Sequence, residues 1–197
     1  MARTIKTVKT KAPARFMSID ASTQSLAFSL VENGHVIAYG KVKYEGSTLD
    51  ERVKDVAQKT YAFFLSYPVD TVVIEDTVFI NSRQTVTLLS KCHGALLAAA
   101  YLAGVQHTHR VSPIAWQSYI GNGLLTPAEK RAIKTATPNK SASWYKAKER
   151  SIRKQKTIDT VNKRFGFDIN DDDIADSSGL AVFALENWQK VLSYGKK

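Results

Sequence analysis

The chain has 197 residues, 44% of them hydrophobic, enough for one domain with a full-sized core, and its single cysteine, Cys92, excludes an internal disulfide. Neither the roughly 20-residue apolar run of a membrane helix nor the apolar stretch of a secretory signal is read in it, so the expectation is a cytoplasmic protein without a membrane partner; the basic, acid-free start leaves mitochondrial import as the alternative. The formal charge of +10 is concentrated, with +5 in residues 1–15 and +9 in residues 130–156, and an acidic body with two basic segments suits a protein that grips a polyanion, against the plainer reading of a solvated basic surface.

In chain order, residues 1–15 read as a basic, flexible arm and 16–197 as a single domain. Phe16 to Asp20 is a short apolar strand. Ser25 to Val31 and His35 to Val42 flank Asn33-Gly34, a dipeptide that supplies the positive φ angles of a tight hairpin, which predicts three consecutive antiparallel strands. Leu49 to Phe64 repeats Leu49, Val53, Val56, Tyr61 and Phe64 at helical spacing and stops at Tyr67-Pro68. Asp70 to Ile74 is a β-branched, buried-type strand that ends on Glu75. A helix from about Gln84 to Ala103 carries Leu88, Cys92, Ala95, Ala99 and Leu102 on one stripe.

His107 to Val111 predicts a fifth strand, followed by a short helix opened by Pro113 and Trp116 and ended near Gly121-Asn122-Gly123. A basic insertion follows at about 124–153. Pro127, Pro138 and Ser/Thr interruptions make Leu124 to Ser143 read as mobile or ordered by DNA, with regular helix only from about Trp144. A helix from about Ile152 to Phe165 stops at Gly166, and a last one runs from about Asp172 to Val191. The element order predicts an α/β class: a mixed five-stranded sheet, three strands antiparallel and then two parallel, flanked by helices.

Four acids stand where acids are awkward: Asp20 and Glu75 each end an apolar strand, and Asp173 and Asp176 lie three apart on one helical face. A cluster of buried carboxylates is costly unless cations compensate it. Oxygen-only ligands suit Mg²⁺ or Mn²⁺, and two such ions about 4 Å apart hydrolyse phosphodiesters in many enzymes. Each acid alone also has a structural explanation: Asp20 could cap a turn, Glu75 could pair with a base, and Asp171 to Asp173 could cap a helix. Asp171 and Asp172 are assigned to capping and left out of the site. His107 and His109 share a strand face and could join His93 or Cys92 on a metal, but no fourth ligand stands at fixed spacing. No Walker loop or G-x-S-x-G element is present, and no small-molecule cofactor is implied.

These acids stand in motifs of one family. FMSIDAS (16–22), VVIEDTVF (72–79) and DDDIADSSGLAVFA (171–184) resemble the first strand, second strand and last helix of the RuvC family of Holliday junction resolvases, most of all its short phage-type members. The resemblance implies a ribonuclease H-like, metal-dependent endonuclease acting on branched DNA as a homodimer, with two ions held by Asp20, Glu75, Asp173 and Asp176. It further implies a dimer interface along the helix at about 84–103, Lys154 as the family's functional lysine, and Phe79 as an aromatic wedge entering the junction. Arg83, Lys130, Arg131, Lys134, Lys140, Lys148, Arg150, Arg153 and Lys156 are then the candidate DNA contacts. Three departures stand out: one extra residue between Glu75 and Phe79, Trp116 where the bacterial enzymes carry a lysine, and the long basic insertion. Less selective debranching, hydrolysis of RNA in hybrids, and a catalytically inactive nucleic-acid binder remain the alternatives.

Overall fold

Asn33 and Gly34 set the course of the first third of the chain. Their φ angles of 50° and 85° form the tight turn the dipeptide predicts, which folds β2 (Ser25–Glu32) back onto β3 (His35–Lys43) in a computed structural model that describes residues 10–76 and 82–194. β1 (Arg15–Ala21) pairs antiparallel with β2 and parallel with β4 (Thr71–Glu75), and β4 pairs parallel with β5 (His107–Val111). The sheet order is β3-β2-β1-β4-β5, the five-stranded mixed sheet expected from the sequence. Arg15 belongs to the sheet rather than to a free arm: its guanidinium donates to Glu32 at 2.5 Å and to the Pro68 carbonyl at 3.2 Å.

Alternation along the strands divides the core in two. Met17, Ile19, Val72 and Ile74 face one side, where α1 (Leu49–Ser66) and α2 (Arg83–Leu102) cover them. Phe16, Val73 and Val111 face the other side, under α3 (Pro113–Tyr119), α6 (Asp172–Glu186) and α7 (Trp188–Tyr194). α1 starts at a capping box: Glu51 N–H donates to Thr48 Oγ1 at 3.2 Å, and Thr48 N–H donates to Glu51 at 3.0 Å. Its buried stripe runs through Val56, Thr60, Phe63 and Phe64, so Tyr61, expected on that stripe, is 42% exposed. On α2 the buried face is Cys92, Leu96, Ala99 and Ala100, and Leu102, expected in line with them, is 80% exposed. Contrary to the sequence reading, α2 has the length and apolar content of a membrane-crossing helix; one face of it packs with α1 against the sheet.

The basic insertion departs most from expectation. Instead of an irregular stretch, residues 124–143 contain α4 (Pro127–Ala136), and α5 (Ala142–Phe165) joins the helix expected from about Trp144 and the one expected from about Ile152 into a single element. The prolines that read as interruptions are end markers. Pro127 occupies the first helical turn, where its missing N–H costs nothing, Thr126 and Glu129 form a capping box, and Pro138 follows the C-cap. α5 then docks on α6 through Ile158, Val161, Ile169 and Ala175. The last predicted helix is two, broken at Asn187.

Candidate active site

Parallel pairing of β1 and β4 puts two acids side by side. With Ile19 opposite Ile74, Asp20 and Glu75 follow at adjacent C-terminal strand ends, and alternation turns both toward α6. α6 can lie close on this face because its inner residues are small: Ser18 Oγ donates to the Ser177 carbonyl at 2.8 Å, and Ser29 Oγ meets Ser178 Oγ at 2.8 Å. Asp173 and Asp176, on the first turns of the same helix, complete the wall of a pocket of about 420 Å³ that Asp20 and Glu75 also line. Opposite them α5 contributes Arg150, Arg153 and Lys154.

The carboxylates disturb one another. Asp20 is pushed well above the ordinary carboxylate range, first by burial and then by the charges of Glu75, Asp176 and Asp173, with Lys154 opposing. Glu75 is raised to about 7 by burial, against a hydrogen bond from Trp116 and with the charge of Asp176 adding to the rise. Asp176 is raised to about 6 by burial, opposed by Lys154, Arg153 and a hydrogen bond from Thr157. Such a set is strained when fully ionised and is relieved by a bound cation.

Oxygen-only donors fit Mg²⁺ or Mn²⁺ in kind. Among the described residues, no three carboxylates already stand as a preformed ligand group. Asp173 is drawn aside by Lys41, whose Nζ lies 2.5 Å from it and 2.9 Å from Asp171. Burial works against the charge of Lys41, but its bonds to Asp173 and Asp171 outweigh that and raise its pKa. Lys154 pairs with Asp172. Asp171 is the N-cap of α6, accepting from Asp173 N–H at 3.0 Å and Ile174 N–H at 3.1 Å, the capping role the sequence assigns it; Asp172 instead serves as the partner of Lys154.

No family model matches the chain, and no curated protein matches it in sequence. Solved structures do. Thermus thermophilus RuvC in complex with a Holliday junction substrate matches with TM-score 0.61 at 16% identity, covering 89% of this chain and 97% of that one. A second structure of Thermus thermophilus RuvC gives TM-score 0.61 at 15% identity, over 90% and 97%. The yeast mitochondrial Holliday junction resolvase Ydc2 gives TM-score 0.53 at 14% identity, over 94% and 83%. The fold is RuvC-like. At these identities the likeness is one of architecture, ribonuclease H-like as the sequence implies.

Within this RuvC-like frame the candidate residues separate into groups. Asp20, Glu75, Asp173, Asp176, Arg150, Arg153 and Lys154 share the one pocket. Arg83, in the first turn of α2, lines a neighbouring cavity of about 590 Å³ with Arg52 and Gln84, and Thr23 borders both cavities. Lys130 and Lys156 are engaged by Glu149 at 3.0 Å and Glu129 at 2.8 Å. Lys134 and Lys140 lie over the rings of Tyr145 and Trp144 at 5.8 and 5.9 Å, and Arg131 and Lys148 are exposed. Phe79 lies outside the described residues. The histidines do not assemble: His93 bonds the Ala21 carbonyl at 3.1 Å on the α2 side, whereas His109 packs edge-on against Trp188 on the other face.

Sequence reasoning missed a layer of neutral side chains behind the charges. Trp116 Nε1 donates to Glu75 Oε2 at 2.7 Å. Asn122 donates to Thr157 at 2.5 Å, and Thr157 in turn bonds Asp176. Gln117 accepts from Arg153 at 2.6 Å and holds that guanidinium at the pocket edge. Asn122 reads in the sequence only as a turn residue between two glycines. No periodicity marks such partners, because each is defined by what lies across the fold.

Proposed function

We propose that the chain is a divalent-metal-dependent endodeoxyribonuclease that cuts branched DNA, resolving four-way junctions by paired nicks as a homodimer. The observation that carries this reading is the convergence of Asp20, Glu75, Asp173 and Asp176 in one pocket faced by Arg150, Arg153 and Lys154, within a RuvC-like fold. Two Mg²⁺ or Mn²⁺ ions held by those carboxylates would activate a water and stabilise the leaving oxygen. Asp20 and Glu75 hang from rigid strand ends, so their spacing is set by the sheet rather than by loops. Glu75, with one oxygen engaged by Trp116, keeps its other oxygen for an ion. Arg150, Arg153 and Lys154 draw the phosphate in and offset its charge. α4, the turn after it and the first half of α5 grip a duplex arm through Arg131, Lys134, Lys140 and Lys148. A dimer along α2 gives two such pockets for a two-fold substrate.

One observation favours a second reading of the same chemistry. Trp116 brings a neutral N–H to Glu75 where a lysine is expected, so one cationic group facing the substrate is missing. Less selective debranching, of three-way junctions and forks as well, follows from its absence.

The test is cleavage of synthetic four-way, three-way, forked, duplex and RNA/DNA hybrid substrates with Mg²⁺, Mn²⁺ or EDTA, comparing wild type with Asp20→Asn. Metal-dependent paired nicks in the four-way junction that vanish in the variant support resolution. Equal cutting of forks supports debranching. Cutting of hybrids alone, or of nothing, overturns the proposal.

A further inference from the structure

Among the described residues Trp116 is the largest side chain with no solvent exposure, and it is not held by packing alone. Its ring lies against Gly179 on α6, one turn beyond Asp176. A Cβ at Gly179 would stand 2.8 Å from Trp116 Cζ3 and 3.1 Å from Ile120 Cδ1, so only glycine lets the indole sit this deep. At the other end of the ring, Nε1 reaches Glu75 Oε2 at 2.7 Å. The indole is therefore a rigid spacer wedged between the helix that carries Asp173 and Asp176 and the strand that carries Glu75. It is also a donor that stays neutral at every working pH and accepts nothing, unlike a lysine, whose charge would compete with a cation for the carboxylate.

We propose that Trp116 is a positioning residue of the candidate metal site: it fixes Oε2 of Glu75 and leaves Oε1 free to bind a divalent cation, while Gly179 sets the depth of the indole. This rests on the metal-dependent reading above and deepens it. Partners that orient metal ligands from behind typically contribute about 10- to 100-fold to metal affinity. The indole does so here without adding charge to the pocket.

The experiment is Mn²⁺ titration of the full chain without DNA, followed by electron paramagnetic resonance. It uses wild type, Trp116→Phe, Glu75→Ala and the double variant, at a temperature where circular dichroism shows each one folded. Trp116→Phe keeps most of the ring and deletes the N–H, and it should weaken Mn²⁺ binding about tenfold or more. Combined with Glu75→Ala, the same change should cost nothing further, because the carboxylate it acts through is gone. Gly179→Ala, which pushes the ring instead of removing the donor, should behave the same way and serves if the Phe variant does not fold. Unchanged affinity in Trp116→Phe, or an equal loss with and without Glu75, overturns the inference and assigns Trp116 to packing. Wild type that binds no Mn²⁺ overturns both this inference and the metal-dependent reading. Tight Mn²⁺ binding with the expected coupling, but no cutting of any branched DNA, leaves the inference standing and removes the nuclease reading alone.

Discussion

The two walls of the candidate active site are built on opposite principles. The acidic wall hangs from β1, β4 and α6, where Ser177, Ser178, Gly179, Ala181 and Ala184 are all buried. The basic wall hangs from α5, and beyond it α4 has no buried residue at all. On the acidic wall Asp20 and Glu75 are held by the sheet register and Glu75 by the neutral donor Trp116, with Asp173 drawn to a lysine, Lys41. Those on the outer basic wall are held by exposed ion pairs and ring contacts that contribute little to stability, typically below about 1 kcal/mol each. On the nuclease reading proposed above, a site divided this way would keep chemistry where geometry cannot drift and grip where it can adapt to a large, flexible substrate.

That comparison predicts unequal penalties, the largest on the acidic side. Asp20→Asn or Glu75→Gln should lower the cleavage rate about 10³-fold or more, since each removes a charge worth several kcal/mol to a metal-assisted transition state. Junction affinity in EDTA should stay within about threefold of wild type, because neither acid attracts phosphate. Gel-shift and single-turnover assays on the same preparations separate the two. A parallel loss of binding and rate would mean that the acidic wall is not the chemical half.

Converting Lys134, Lys140 and Lys148 together to Ala should do the reverse. Junction binding should weaken about 10- to 100-fold at physiological salt, and the slope of log affinity against log salt should flatten by roughly 0.9 for each phosphate that is no longer neutralised. Cleavage at saturating DNA should change little. Lys130→Ala should cost less than any of the three, because Glu149 already engages Lys130. If the triple variant binds as wild type does, the outer arm is a solvated surface.

The same division explains what can be read from the chain without coordinates. Asp20 and Glu75 are legible because each ends a run whose alternation is visible, and an acid closing a buried strand stands out against it. Asn33-Gly34 is legible because only residues that tolerate positive φ serve there. The α4 region is not, because prolines that mark helix ends look the same in sequence as prolines that break a loop; the capping box Thr126–Glu129 is the signal that distinguishes them. The lysine that draws Asp173 aside, Lys41, is equally hidden: it lies 132 positions away on β3, and only the sheet brings it near. Trp116 stands out in the sequence as a departure from the RuvC pattern, but its bond to Glu75 depends on the depth set by Gly179, which no local pattern encodes.

The smallest expected effect is the most specific to the acidic wall. Asp20, Glu75 and Asp176 all hold protons more tightly in the folded chain than they would unfolded. The folded state therefore binds more protons between the ordinary carboxylate range and the raised values, and stability falls as pH rises through that window. For Asp176 and Glu75 the fall runs from about 4 up to about 6 and about 7, and for Asp20 it lies above its ordinary 3.8. His93 and His109, both lowered by burial, work in the other direction, losing stability as pH drops below their ordinary 6.5. The pocket's share is thus read as a difference. In EDTA, Asp20→Asn should be more stable than wild type at pH 8 and nearly equal to it below pH 4. Mg²⁺ should raise the melting temperature of wild type at pH 8, do little at pH 5, and do less for the variant at either pH. Thermal unfolding across pH, with and without Mg²⁺, measures all of this. Wild type as stable as the Asn variant in metal-free buffer at pH 8 would show that the four acids are not crowded enough to need a cation.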